Sequence, residues 1–424
     1  MRASNVVVVS PSVVALVAGA SCALAAPPFV PGNVVVSQVG TGQSQLVSSA
    51  ATAAFLKEFT PGGGLVQTIA IPTVTSGANR RCTFPGGGTP TGLLKRSVDK
   101  RWIMFTGYDA PVGLAPVLAT LASGTPRVVG RVSAAGELDT TTGLTDAFDG
   151  GRVTCAVSMD GAGYWLSGDG SGGVGAVRYA IHGASTSTAI ETFLPSTFVL
   201  GLFDGGLYVS AYAFPTFIGV GRFPGGLPMS ATQAVLLPGF PIDTNTLPLE
   251  FHFADAQTLY LADGSTVAAG GGLQKWTLAA GTWSKAYTIA TGLNTTGLTS
   301  ITAKAVGGTT MVYGITRGAT STSQTSLVVV TDTGPGSVFT TLATSPTFTA
   351  FRGVALAPEV GVPCYANCDA SSVPPVLNVV DFICFQTRFA AQDPYANCDA
   401  STTPPVLNVA DFVCFLNSFA GGCP

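Results

Sequence analysis

The sequence predicts an all-β protein: a β-propeller of six blades, with seven as the alternative, followed by a small helical EF-hand-like module. Three observations support this prediction. The 424 residues include 53 Gly and 28 Pro but only 10% charged side chains, a composition typical of short strands joined by many turns. A hairpin pattern recurs along most of the chain, as repeat architectures require. Six of the nine cysteines lie in the last 61 residues, which marks a second domain.

Residues 1–26 are typical of a secretory signal peptide. Arg2 precedes an apolar run from Val6 to Ala26 that ends in small residues. An uncleaved anchor is the alternative, although Pro11 interrupts the run. Elsewhere the longest apolar stretch, 205–221, is broken by Gly, Ser and Pro, so we expect no membrane span in the mature chain. The protein is predicted to be secreted or displayed at the cell surface.

Residues 27–360 repeat one hairpin five times. In each copy an apolar strand meets a tight turn and then an aromatic-bearing strand. The turns contain Asp99, Asp160, Asp204, Asp255 and Gly307, at spacings of 61, 44, 51 and 52 residues. This interval suits a four-stranded blade with its loops. We expect the Asp residues to shape the turns, because Asp accepts a hydrogen bond from its own backbone two residues on.

A second type of hairpin lies between these copies, and its first strand carries a basic residue. The basic residues are Lys57, Arg131, Arg178, Arg222 and Lys275, and a sixth copy at 328–341 lacks one. Two hairpins together make one blade. The strand at 351–357 has no partner after it and the strand at 33–39 has none before it, so their pairing would complete a sixth blade. Seven blades is the alternative, because the first interval includes the weakly patterned stretch 109–125.

The body shows little catalytic chemistry. A net charge of −3 with few charged residues excludes an electrostatic nucleic-acid binder. His182 and His252 lack metal-ligand spacing, and His252, near Glu250, is interpreted as a packed residue. The sequence contains no nucleophile elbow, phosphate loop or zinc-protease motif. Arg178, Glu250 and Arg352 are candidates for polar groups lining the central channel, and the catalytic residues, if there are any, are unknown.

Two cysteines are isolated within the body. Cys22 falls in the signal segment, which leaves eight cysteines in an exported chain and suggests four disulfides. We expect Cys82 and Cys155 to form one of them near the channel. Two buried thiols are the alternative.

Residues 361–424 contain a strong duplication, in which 365–385 recurs as 395–415. Each copy places oxygen-bearing side chains at alternating positions and then an Asn and an Asp that open an amphipathic helix. Hard oxygen ligands in this order are typical of an EF-hand calcium loop. The candidate Ca²⁺ ligands are Asn367, Asp369, Ser371, Asn378 and Asp381 in the first copy, and Asn397, Asp399, Ser401, Asn408 and Asp411 in the second.

The duplication resembles a type I dockerin, and most closely the cysteine-containing variety at the C-termini of exported planctomycete proteins. The resemblance covers about 60 of the 424 residues. It implies two calcium ions and docking onto a cohesin-type or surface scaffold partner. Both copies depart from the family pattern, with Asn at the first ligand position, Ser at the third and a longer loop. Fewer carboxylates weaken calcium binding.

The cysteines of the module suggest a framework of their own. In each copy one Cys lies between the first two ligands and another lies on the following helix. We therefore expect Cys368–Cys384 and Cys398–Cys414, with Cys364–Cys423 joining the ends. Other pairings are open, and so is the alternative that disulfides have replaced calcium in empty loops.

These features favour an exported propeller that binds a ligand or serves as a scaffold and is tethered through its C-terminal module. The alternative is a carbohydrate-active hydrolase or lyase with its site on one propeller face, since dockerins usually tether such enzymes. A third possibility is an adhesin that binds a protein or a glycan. A glycan is thus a candidate ligand under both the enzyme hypothesis and the adhesin hypothesis.

Overall fold

The computed structural model describes residues 26–88, 90–170, 176–360, 365–369, 371, 377–399 and 401–422. The predicted signal segment up to residue 25, together with Cys364 and Cys423, lies outside the described residues. Strands joined by loops occupy the described chain from residue 34 to residue 356, and two α-helices follow.

In chain order the first strands are β1 (Val34–Val39), β2 (Ala51–Thr52), β3 (Ala54–Phe59), β4 (Leu65–Ala70), β5 (Phe84–Pro85), β6 (Lys95–Arg96), β7 (Trp102–Tyr108), β8 (Arg127–Ser133), β9 (Leu138–Leu144), β10 (Val153–Val157), β11 (Gly163–Gly168), β12 (Val177–Ile181) and β13 (Thr188–Glu191). They are followed by β14 (Thr197–Phe203), β15 (Gly206–Ala213), β16 (Phe217–Arg222), β17 (Val235–Leu236), β18 (Pro248–Asp255), β19 (Thr258–Asp263), β20 (Gly272–Ala279), β21 (Thr282–Ile289), β22 (Leu298–Val306), β23 (Thr309–Thr316), β24 (Ser326–Asp332), β25 (Thr340–Thr344) and β26 (Ala350–Leu356).

The strands form a six-bladed propeller of four-stranded antiparallel sheets. Blades 1 to 5 use consecutive strands: β6–β9, β10–β13, β14–β17, β18–β21 and β22–β25. Blade 6 has the order β26-β1-β3-β4, and the short β2 and β5 pair with each other. The prediction of six blades is confirmed and the alternative of seven is wrong. Residues 109–126 form a loop with a short 3₁₀ turn between β7 and β8, rather than further strands of a blade.

The two ends of the propeller meet as expected. β26 pairs antiparallel with β1, with Val35 opposite Ala355, and every residue of β26 is buried. Side chains of this pair alternate between two clusters: Val35 and Ala355 belong to one, whereas Val36 and Val354 belong to the other. The closing pair is therefore part of the core, and it removes the open sheet edges that the first and last strands would otherwise expose.

Three of the four Asp residues in the hairpin turns make the expected bond, and Asp204 instead adopts a left-handed backbone conformation, with φ of 43°. Asp99 Oδ1 accepts the Arg101 N–H at 3.1 Å, Asp160 Oδ1 the Ala162 N–H at 2.8 Å, and Asp255 Oδ1 the Gln257 N–H at 2.7 Å. These are turn-stabilising bonds two residues on. The turns lie at one face of the ring, which we call the base face. The opposite face, where successive blades are connected, is the loop face.

The basic residues of the second hairpins contribute to the contacts between blades. Arg178 of blade 2 binds Asp146, which follows blade 1, at 3.0 Å. Lys275 of blade 4 binds Asp332 of blade 5 at 2.8 Å, and Tyr260 donates to the same carboxylate at 2.5 Å. At these positions the repeated basic residue pairs with a carboxylate from the neighbouring blade.

Gly353 on β26 is a position where a side chain cannot fit. A Cβ added there would lie 2.5 Å from Leu94 N and 2.7 Å from Leu93 Cα, both backbone atoms. We expect Gly353→Ala to lower the free energy of unfolding by about 1–3 kcal/mol, because the backbones of blades 6 and 1 must separate. Gly336→Ala is the matched control, since its Cβ would meet nothing within 4 Å. Equal losses for the two variants in urea denaturation would contradict this explanation.

The described part of the C-terminal module is built on α1 (Val379–Ala390) and α2 (Val409–Gly421). Equivalent aromatic residues of the two copies stack on each other. The Phe385 and Phe415 rings are 4.1 Å apart, and the Tyr365 and Tyr395 rings are 4.8 Å apart. Each tyrosine hydroxyl also donates to the backbone carbonyl of the other tyrosine. The duplicated sequence therefore forms one paired core.

Candidate functional site

The first loop is tied to the start of α1 by a buried carboxylate. Asn378 is the N-cap of α1, and Asp381 Oδ2 accepts the Asn378 N–H at 2.9 Å, which completes a capping box. Asp381 Oδ1 accepts the Asp369 N–H at 3.2 Å. Asp369 Oδ1 in turn accepts the Ser371 N–H at 2.8 Å. These four candidate ligands thus lie in one hydrogen-bonded unit.

The second loop repeats this arrangement. Asp411 accepts the N–H groups of Asn408 at 2.8 Å and Asp399 at 3.3 Å, and Asp399 accepts the Ser401 N–H at 2.9 Å. Burial alone would raise the pKa of Asp411, but the donating backbone groups hold it below its usual value. The loop is therefore fastened by an ionised carboxylate.

The remaining pair of candidate ligands carries an unsatisfied oxygen. Asn367 Nδ2 donates to the Ser371 carbonyl at 2.8 Å, and Asn397 Nδ2 to the Ser401 carbonyl at 2.9 Å. The Oδ1 atoms of both Asn residues are buried and have no hydrogen-bond partner among the described residues. A buried acceptor without a donor is costly, and a hard cation prefers such an oxygen. In this respect the loops fit calcium.

Few of the candidate calcium ligands, however, carry a negative charge. No group of three or more His, Cys, Asp or Glu side chains that could hold a metal occurs in the described part of the chain. Asp381 and Asp411 already accept two backbone N–H groups each, so part of their capacity is used. A calcium ion would depend on amide, hydroxyl and carbonyl oxygens, a composition that lowers affinity.

Two of the predicted disulfides are present. Cys368 bonds to Cys384 and Cys398 to Cys414, each across a separation of 16 residues. Each one links a candidate calcium loop to the helix that follows it. The proposed Cys364–Cys423 bond lies outside the described residues.

The helices of the module expose apolar side chains, which we call the helix patch. Val379 and Ile383 on α1 are 68% and 54% exposed, and Val409, Val413 and Leu416 on α2 are 77%, 51% and 41% exposed. Val379 corresponds to Val409 and Ile383 to Val413 in the duplication. The outer surface of each helix is thus apolar at equivalent positions. Exposed apolar side chains that recur on one surface of a helix are typical of protein contact surfaces.

The central channel widens at the base face into a cavity of about 290 Å³, the base cavity. Lys95 Nζ of blade 1 lies 2.5 Å from Glu250 Oε1 of blade 4, the blade on the opposite side of the ring. Glu250 Oε2 accepts the Ser300 hydroxyl at 2.5 Å and the Ile301 N–H at 3.0 Å. Because its carboxylate is held by three groups, Glu250 is suited to joining blades 1, 4 and 5. It is the one carboxylate among the described residues lining this cavity.

His252 lines the same cavity, and its ring is mostly enclosed. Burial, together with the cations Lys95 and Arg96, lowers the pKa of His252 to about 4. The unfolded chain therefore takes up a proton near pH 6.5 while the native protein does not. We expect stability to fall by about 2 kcal/mol from this residue as the pH drops from 6.5 towards 4.

Unfolding in urea across this pH range tests the prediction. His252→Gln should flatten the pH dependence compared with the parent protein. The same slope in both proteins would contradict the assignment. The interpretation of His252 as a packed residue agrees with its place in the wall.

The prediction of a Cys82–Cys155 disulfide is wrong, because both thiols are free and fully buried. Cys82 packs in the core cluster that holds Phe84 and Phe105, whereas Cys155 belongs to a different cluster with Val199 and Leu200. Burial raises the pKa of both thiols, that of Cys155 to about 11. Both are therefore protonated and poorly reactive at neutral pH.

The other candidate channel residues have structural roles. Arg178 lies on the third strand of blade 2 with Asp146 and Ser187, rather than in the channel. Arg352 is buried and donates from Nη2 to the carbonyls of Gly86 and Ser321 at 2.9 and 2.8 Å. Sequence reasoning missed Lys95, since a basic residue on a short inner strand gave no signal of a partner across the channel.

Comparisons with known proteins find distant structural similarity and no family. No protein-family model and no curated protein matches the chain. The alignment with a hypothetical selenium-binding protein from Sulfolobus tokodaii covers 80% of this chain and 95% of that protein, at 9% identity and a TM-score of 0.41. The alignment with an ancestral GH74 enzyme covers 69% of this chain and 41% of that enzyme, at 10% identity and a TM-score of 0.37. A mutant of AofleA from Arthrobotrys oligospora covers 65% of this chain and 78% of its own, at 11% identity and a TM-score of 0.36.

Proposed function

We propose that the chain is an exported propeller that binds a ligand or serves as a scaffold, anchored through its C-terminal module to a cohesin-type or surface partner domain. The observation that supports the anchoring is the helix patch, with apolar side chains exposed at equivalent positions of two helices. The two disulfides are compatible with an exported protein. With 12 and 13 residues, neither α1 nor α2 could span a bilayer.

The docking proposal predicts that the helix patch is required for binding. The full chain would be tested against a panel of cohesin-type domains by calorimetry. Replacing Val379 and Val409 with Asp should abolish binding, because it places charges in an apolar interface. Val235→Asp is the matched control, since Val235 is 61% exposed but lies on the propeller. Failure of every domain to bind, or unchanged binding by the double variant, would refute the proposal.

Calcium is proposed as the ion that completes both loops. It would satisfy Asn367 Oδ1 and Asn397 Oδ1, with Asp369 and Asp399 as the carboxylates nearest to them in sequence. Calorimetric titration of the full chain with CaCl₂ should give heat that is lost when Asp369 and Asp399 are replaced by Ala. Asp393→Ala is the control, because Asp393 binds Arg388 and lies outside both loops. No heat in the parent chain would show that the loops do not bind calcium.

The propeller itself is proposed to bind rather than to catalyse. A glycoside hydrolase commonly needs two carboxylates flanking the bond that it breaks. Glu250, in the base cavity, is already bound by Lys95, Ser300 and Ile301. Release of reducing ends from a polysaccharide panel would contradict this reading, whereas saturable binding without product would support it.

A further inference from the structure

The loop face holds a second pocket, on the side of the ring opposite to the base cavity. Its volume is about 300 Å³, at the lower end of the range for small-molecule sites. Four blades contribute to its wall. The residues lining it are Arg152, Ser196, Phe198, Tyr212, Leu247, Leu249 and Arg317. We call it the loop-face pocket.

The pocket has one positive charge that is not balanced. Arg152 is matched by Asp169, which its Nε contacts at 2.8 Å. Arg317 donates from Nη1 to the Gly264 carbonyl at 2.9 Å, and within the described ranges no carboxylate lies within 4 Å of it. The nearby Asp263 instead accepts the N–H groups of Leu247 and Ser265. Arg317 is thus held by the backbone while part of its fork of donors is available to a ligand.

The remaining wall is apolar and partly aromatic. Phe198 is 7% exposed and Leu249 1% exposed. Tyr212 is half-buried, and its hydroxyl lies 3.5 Å from the Thr244 carbonyl, which links blade 3 to the loop before blade 4. Aromatic rings and an available guanidinium in the wall of one pocket suit a ligand that has both a ring-shaped body and a negative group.

We propose that the loop-face pocket binds an organic anion that consists of a ring with a carboxylate. Arg317 pairs with the carboxylate, since guanidinium and carboxylate form strong charge-assisted hydrogen bonds, and the ring lies against Tyr212 and Phe198. A uronic acid residue of a glycan and an aromatic acid share this chemistry. The chain leaves the propeller at the base face after β26, so the pocket opens on the face opposite to that exit. The proposal does not depend on the docking function.

Calorimetry of the full chain with D-glucuronate, benzoate, D-glucose and acetate tests the proposal. We expect saturable binding of glucuronate or benzoate, and which of the two binds identifies the source of the ring. Arg317→Met should weaken that binding roughly tenfold or more. Arg222→Met is the matched control, because it removes the same charge from an exposed position at the end of β16, the third strand of blade 3, and should leave affinity unchanged.

Two further variants separate the charge from the ring contact. Arg317→Lys should bind more tightly than Arg317→Met but more weakly than the parent chain, because Lys keeps the charge but lacks the bidentate guanidinium group. Tyr212→Ala should weaken the binding of whichever ring acid the parent chain binds, but should leave any binding of acetate unchanged. Binding of glucose as tight as that of glucuronate, unchanged binding by Arg317→Met, or no binding of either ring acid at millimolar concentration would overturn the proposal. Acetate binding as tightly as the ring acids would overturn the role of the ring.

Discussion

Replacing the four cysteines of the module with Ala is expected to unfold α1 and α2 while the propeller stays folded. The Cys368–Cys384 and Cys398–Cys414 bonds each close a loop of 16 residues. A loop of this length contributes about 3 kcal/mol in the chain-entropy model, or about 6 kcal/mol for the pair. A core as small as that of the module rarely supplies more than about 3–5 kcal/mol. The paired Phe and Tyr rings should therefore be insufficient without the bonds.

Hydrogen exchange on the full chain, in EGTA, measures this outcome. Amides of α1 and α2 should lose protection in the quadruple variant, whereas those of β26 should keep it, because the propeller cysteines Cys82 and Cys155 are free. Cys155→Ala serves as a control that removes a cysteine without touching the module. Unchanged protection of both helices in the quadruple variant would show that packing alone holds the module together.

The fold of the body could be predicted from sequence because its signals are local. A turn such as Ser158–Gly163 needs an Asp or Gly at a fixed offset, whatever lies around it, and Asp160 therefore marks a hairpin. The number of such turns predicts the number of blades. The two terminal strands without partners predict the pairing that closes the ring. The disulfides of the module were predictable for the same reason, since each joins a loop to the next helix within a single copy.

Features that depend on contacts between distant blades were not predictable in this way. Cys82 and Cys155 lie in different core clusters, and their isolation in the sequence did not indicate where their blades place them. Lys95 and Glu250 are 155 residues apart and meet because blades 1 and 4 face each other across the channel. The loop-face pocket has the same origin, with Arg317 and Tyr212 supplied by different blades.

Replacing Glu250 with Leu is expected to lower the free energy of unfolding of the propeller by about 3–5 kcal/mol. The Glu250 carboxylate is about 1% exposed, and Lys95, which faces it, is 15% exposed. Without the carboxylate, Lys95 becomes an unpaired cation in the base cavity. The Ser300 hydroxyl and the Ile301 N–H, which both donate to Glu250, also lose their acceptor.

A double-mutant cycle distinguishes the loss of the ion pair from a change in packing. Lys95→Met combined with Glu250→Leu should cost less than Glu250→Leu alone, because the double variant leaves no buried unpaired charge. Strictly additive losses in urea would contradict the ion pair as the cause. The same cycle has an independent readout at His252, whose low pKa is due partly to Lys95. Lys95→Met should therefore raise the pKa of His252 above about 4 in an NMR titration, whereas the exposed control Lys285→Met should leave it unchanged.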